Sequence, residues 1–200
     1  MIESLQLYFA AFRDARDRED DRKISYFELM GISWSLHLLY AFYSVFALYL
    51  GVKSYDYFSN SKDFTHLILE TLNFKVQKVV LLTTLFSVIL YPFIFQFAYK
   101  FWKALFRFYY NLFGFQDEHV DELGDDILSH AFSSNLFLVF PIIGNIISNI
   151  ALCFFLFKGL KQKYEFSSLQ AALVLLTPLF LCFLFVIFSA SYFIFLFSLI

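Results

Sequence analysis

The chain has 200 residues, of which 60% are hydrophobic, 23% aromatic and only 16% charged, too little charge to cover the surface of a soluble domain. Phenylalanine alone supplies 31 positions, mostly within uncharged runs, and that much apolar surface must face lipid. A formal net charge of -2 with no basic stripe excludes a nucleic-acid partner.

At the start of the chain Ile2, Leu5, Phe9 and Phe12 recur at three- and four-residue spacings. This predicts an N-terminal amphipathic helix lying in the membrane interface. The run RDARDREDDRK follows, and its mixed charges read as a solvated helix face rather than a docking site. A basic start leading into an apolar run is absent, so no cleavable signal peptide is expected. Residues 1–28 are thus a cytoplasmic amphipathic and charged segment, and residues 29–200 a single helical membrane domain.

The first apolar run, 29–52, is interrupted only by His37, and the second, 79–99, contains Pro92. Each is long enough to cross a hydrocarbon core of about 30 Å as a helix. The loop between them carries Tyr55, Tyr57, Phe58 and Phe64, residues suited to the headgroup region. After the second run, KFWKALFRFYYNLFG mixes aromatic residues with Lys100, Lys103 and Arg107, the pattern of a helix leaving along an anionic surface with its charges snorkelling.

Next comes QDEHVDELGDDILSH, the only cluster with residues for metal or acid-base chemistry. Asp117, Asp121 and Asp125 repeat every four residues, as do Glu118, Glu122 and Asp126, with His119 and His130 nearby. His119, Asp117 and Asp121 are the candidate metal ligands, although the segment matches no established cation loop. The alternative is a solvated cytoplasmic loop whose Asp125 or Asp126 favours the positive end of the next helix.

From residue 127 to residue 157 the only acidic or basic residue is His130, a stretch of roughly 46 Å at helical rise, too long for one ordinary crossing. Pro141 and Gly144 predict a break at 140–144, giving short spans at 127–140 and 143–160. The last span, 169–197, contains Pro178 as an expected kink. The predicted fold is therefore an all-α integral membrane protein with five transmembrane helices.

The distribution of charge supports that count. With five spans Arg13, Arg16, Arg18, Arg22, Lys23, Lys100, Lys103, Arg107, Lys158, Lys161 and Lys163 share one side, eleven in all, against Lys53, Lys62, Lys75 and Lys78 on the other. A single crossing at 127–157 would give eight against seven. The positive-inside rule favours five, with the N-terminus cytoplasmic and the C-terminus outside.

Inside the spans, His37 is a functional-site candidate by its cost in hydrocarbon, although no mid-span carboxylate completes a proton relay and a hydrogen bond to another helix also accounts for it. Asn145, Ser148 and Asn149 share one helical face beginning at Gly144, and Gly144 with Ser148 forms a small-x-x-x-small pair, as do Ala47 and Gly51. These residues, with Gly159, read as helix-packing positions. Cys153 and Cys182 lie in uncharged apolar runs, where a thiol acts as a small hydrophobe. There is no G-x-S-x-G elbow, no H-E-x-x-H and no phosphate-cradling glycine loop. No cofactor is expected.

From residue 127 to Pro178 the order of features is a short polar-flecked span (ILSHAFSSNLFLV), then PIIG, then a span ending in KGLKQKYEFSSLQAALVLLTP. In this the chain resembles the bacterial branch of the Yip family, named for the Ypt/Rab-interacting proteins. YPFIFQFAYKFWKALFRFYYNLFG is similar more loosely. The resemblance implies a five-span helical membrane protein with a cytoplasmic N-terminus. The long cytosolic segment of the eukaryotic members and its D-L-Y-G-P motif are missing here, so the resemblance carries no Rab-type partner.

The expected function is a non-enzymatic scaffold or accessory subunit of a larger assembly in a bacterial inner membrane, with the lipid bilayer and other membrane subunits as partners. The alternative is a transport component in which His37, Gln96, Asn145 and Asn149 line a path for a small-molecule substrate of unknown identity. A metal-dependent membrane enzyme using His119 and its neighbouring carboxylates is the third reading.

Overall fold

The computed structural model describes residues 2–13, 24–58, 74–115 and 119–198. The charged stretch 14–23, Phe64, Asp117 and Glu118 lie outside the described residues. Among those described, every regular element is helical: α1 (Ile2–Arg13), α2 (Tyr26–Phe58), α3 (Phe74–Leu112), α4 (Val120–Phe132), a 3-10 segment (Ser133–Val139), α5 (Gly144–Lys163) and α6 (Ser168–Ser198).

Two of the long helices begin with a reciprocal cap. At α2 the Glu28 amide donates to the Ser25 hydroxyl at 3.3 Å and the Ser25 amide to the Glu28 carboxylate at 3.1 Å. At α6 Ser167 and Gln170 exchange the same pair of bonds at 3.3 and 2.8 Å. Each box satisfies amides that the first helical turn leaves without partners. Hydroxyls within the helices return to their own backbone, as Ser44 does to Tyr40 and Thr84 to Val80, which hides them from an apolar solvent.

Among the described residues three segments have the length and apolarity to cross a bilayer: Tyr26–Gly51, Lys78–Leu112 and Ser168–Tyr192, with mean hydropathy 1.3, 2.0 and 2.8. Along them large side chains stay bare, including Phe42, Leu82, Phe86, Phe185 and Phe188, each exposed. Such surface is stable only against lipid or another protein. The chain is therefore an all-helical membrane protein. The helix of the second run is longer than expected: α3 continues without a break through the aromatic-basic stretch for 39 residues, with Pro92 inside it.

The stretch 127–157 folds back on itself. Phe140 is extended, Ile142 takes a φ of 69°, and the Ile143 and Gly144 amides return to the Pro141 and Phe140 carbonyls at 2.8 and 3.1 Å. Gly144 is required here because a Cβ would collide with the Phe137 carbonyl oxygen. The α4 and α5 arms then run antiparallel. Tyr164 donates to the Val120 carbonyl at 2.8 Å, a Cβ on Gly159 would stand 2.8 Å from Ile127, the His130 and Phe155 rings lie 4.4 Å apart, and Ser148 bonds Asn135 at 3.2 Å. The turn falls where Pro141 and Gly144 predict it. The boundaries differ on its first arm, where α4 begins at Val120 and the remainder narrows to the 3-10 segment. Neither arm belongs to the three long apolar helices; Asn145, Ser148 and Asn149 at one end of α5 and three lysines at the other dilute its apolar run.

The core gathers at one end of the bundle, where Tyr99, Phe106 and Tyr110 of α3 meet Ile127, Leu128 and Phe132, Leu156 and Leu160 of α5, and Phe166. The N-terminal helix belongs to this core. Tyr8 is fully buried and donates to the Phe132 carbonyl at 3.1 Å, Ser4 donates to Glu28 at 2.8 Å, and Phe12 packs edge-on against Phe137 and Phe155. The expected interfacial stripe is thus split: Leu5 and Phe9 are exposed while Phe12 turns inward. The helix docks on the bundle through its Tyr8 and Ala11 face instead of resting on lipid alone.

Candidate functional site

A cleft of about 300 Å³ lies between α2, α3, the 3-10 segment and α5. His37 reaches it from the middle of α2, Ser87 and Tyr91 from successive turns of α3, Asn135 from the 3-10 segment, and Asn145, Ser148 and Asn149 from the first turns of α5. The His37 ring stacks on Tyr91 with centroids 4.4 Å apart and planes 20° apart, and its Nε2 is 3.4 Å from the Ser87 hydroxyl. The Asn135 side chain then links two helices: its Nδ2 donates to the Tyr91 hydroxyl at 3.0 Å and its Oδ1 accepts from Ser148 at 3.2 Å. On the exposed side of α5, Asn149 donates to the Asn145 carbonyl oxygen at 3.4 Å.

His37 and the Asn145, Ser148 and Asn149 face, the first and third of which the transport alternative grouped with His37, meet in one place. Gln96 does not join them; it is exposed and lies off the cleft lining. Ser87, Tyr91 and Asn135 escaped the sequence reading. The signal for the first two was their four-residue spacing on one face of a helix, and for Asn135 an amide inside an apolar stretch. The remaining wall, including Phe95, Ala98, Leu138 and Leu152, is apolar, and no lining residue is a lysine, arginine or carboxylate. The cleft offers neutral donors and acceptors with one imidazole, a set that binds polar neutral groups.

Of the other predicted positions, the two close-packed glycines serve packing and the Ala47–Gly51 pair does not. Gly159 and Gly144 admit close neighbours, Pro178 lies inside α6, and Ala47 with Gly51 faces open space, with no heavy atom within 4 Å of a Cβ on Gly51. Cys153 and Cys182 are exposed free thiols.

The acidic segment is described from His119 onward, and from Val120 it is helix, not loop. Asp121, Glu122, Asp125 and Asp126 belong to α4, and Asp121, Asp125 and Asp126 pair with the helices alongside. Lys103 donates to both Asp125 oxygens at 2.8 Å, Tyr99 adds a bond to the same carboxylate at 3.0 Å, Arg107 grips Asp121 through two nitrogens, and Lys163 stands 3.8 Å from Asp126. Asp125 and Asp126 lie past the first turn, which holds Asp121 and Glu122 instead. His119 lies 3.9 Å from Glu122, and among the described residues no three histidine, cysteine or acidic side chains converge as a cation site. Burial first, and then the Asp121 carboxylate, push the Tyr164 phenol above its ordinary value, which keeps it a donor to Val120. The arrangement ties the ends of α3, α4 and α5 into one charged cluster.

No family model, curated protein or solved structure matches the chain.

Proposed function

We propose that the chain is a non-enzymatic scaffold or accessory subunit of a larger assembly in a bacterial inner membrane, a five-span protein resembling the bacterial Yip branch, with its N-terminus cytoplasmic and its C-terminus outside. The observation that carries this reading is the pairing of the acidic cluster. Among the described residues of that cluster, Asp125, Asp121 and Asp126 are held by Lys103, Arg107 and Lys163, an arrangement that fixes helices and leaves large apolar helix faces for neighbours. The same cluster supports the sidedness, because it brings the basic ends of α3 and α5 together, as the positive-inside count with two hairpin arms requires.

Gentle extraction of the N-terminally tagged protein at native expression, followed by native mass analysis, tests the role: a stoichiometric partner set is expected, and a chain that travels alone in every mild detergent overturns it. Labelling tests the span count. In sealed vesicles Cys153 of α5 and Cys182 of α6 are both expected to resist a membrane-impermeant maleimide, because the charged reagent does not reach a thiol within hydrocarbon.

The cleft favours a second reading, that of a transport component, since His37, Asn145 and Asn149 share one lining. Proteoliposome flux unchanged by replacing His37 and Asn149 removes it.

A further inference from the structure

Asn145 and Asn149 stand on the exposed side of a helix whose neighbours Ile146, Ile150 and Phe154 are bare and apolar. Their single mutual bond uses one amide hydrogen of Asn149 and the carbonyl oxygen of Asn145. This leaves a donor on Asn145 and an acceptor on Asn149, side by side at the mouth of the cleft. In hydrocarbon such groups require a partner. A hydroxyl group, which donates and accepts at once, satisfies both.

The charge of the cleft narrows the ligand further. No cationic side chain lines it, and Lys103, Arg107 and Lys163 are engaged with carboxylates of α4. A phosphate headgroup would enter without a counter-charge, at the desolvation cost of a buried anion. A neutral headgroup carries no such penalty, and Ile94, Ala98, Leu138 and Leu152 offer its first methylenes an apolar wall.

We propose that the cleft is a lateral binding site for an uncharged, hydroxyl-headed membrane lipid of the diacylglycerol class, its hydroxyl bridging Asn145 and Asn149. The inference rests on the bilayer placement of the α4–α5 hairpin proposed above.

The test uses the full chain carrying Trp102→Phe, so that Trp34, bonded to the residue after Ser87, is the sole indole reporter. In nanodiscs of phosphatidylcholine and phosphatidylglycerol, brominated diacylglycerol is expected to quench Trp34 more strongly than brominated phosphatidylcholine at equal bromine content. The excess corresponds to roughly tenfold local enrichment, the effect of one or two hydrogen bonds in an apolar medium. The exposed pair Asn145→Ala/Asn149→Ala should abolish the excess, and Ala98→Leu, which keeps every polar group and narrows the cleft, should reduce it. Equal quenching by the two lipids, or an excess indifferent to both variants, overturns the site. Reaction of Cys153 with impermeant maleimide in the same discs, with Cys182 protected, instead overturns the hairpin placement and the lipid site with it.

Discussion

The indole nitrogen of Trp34 donates to the carbonyl of Val88 across 2.9 Å. That carbonyl lies four residues before Pro92, whose ring nitrogen has no hydrogen to give it. The bond therefore closes a gap that proline opens in α3, and does so from α2, so the helix interruption is itself a fastening between two helices. In a membrane such an orphan carbonyl has no water to turn to.

This pairing predicts a non-additive cycle. Trp34→Phe should destabilise the protein by roughly 1 kcal/mol, the scale of a strong interhelical hydrogen bond in a membrane. In a Pro92→Ala background the alanine amide bonds Val88 within the helix, and the same substitution should cost less than half as much. Unfolding in mixed micelles measures both, and equal costs in the two backgrounds would refute the assignment.

Gly159 faces Ile127 so closely that an added Cβ would stand 2.8 Å from its Cγ2. Gly159→Ala should cost about 1–3 kcal/mol by overpacking the hairpin. Combined with Ile127→Ala, the loss should fall below the sum of the two, because the methyl enters space the isoleucine vacates; thermal unfolding of the three variants decides it.

Lys103 and Asp125, both part-exposed, are coupled across α3 and α4. Either alanine variant should lose roughly 1 kcal/mol and the double variant less than the two together, with a coupling that shrinks in high salt. A coupling unaffected by salt would mean that packing, and not charge, joins these helices.

Tyr8→Phe removes the bond to the Phe132 carbonyl while keeping the ring in the core. The expected loss is about 1 kcal/mol, together with faster proteolysis of residues 2–13 as α1 detaches. Limited digestion followed by mass analysis reads the second effect directly.

Local chemistry was legible in the chain, and partnership was not. Pro141 and Gly144 placed the turn because their constraints act on their own backbone. The Ser25–Glu28 and Ser167–Gln170 boxes were equally local, and the sequence reading passed over them. The pairing of Asp125 and Asp121 was not legible because it depends on Lys103 and Arg107, which lie 22 and 14 residues away and face them only once α3 and α4 have packed. Apolar periodicity chose Leu5 and Phe9 as the working face of α1. The packed face instead turns on Tyr8, whose hydroxyl can be buried because it finds Phe132 and Ser33. In the same way His37 and Asn145 are far apart in the chain and share a cleft only through the return of the hairpin.

That return has a consequence for how the protein is made. Between His130 and Lys158 there is no charged residue, and the turn closes its own backbone through Phe137, Phe140 and Pro141. In the five-span reading proposed above, such a helical pair enters the bilayer tip first as one piece, with the neutral amides of Asn145 and Asn149 near the tip and no charge to carry across. On the same reading Lys158, Lys161 and Lys163 stay behind at the entry side, where Lys163 meets Asp126, and act as a stop that sets the depth of insertion.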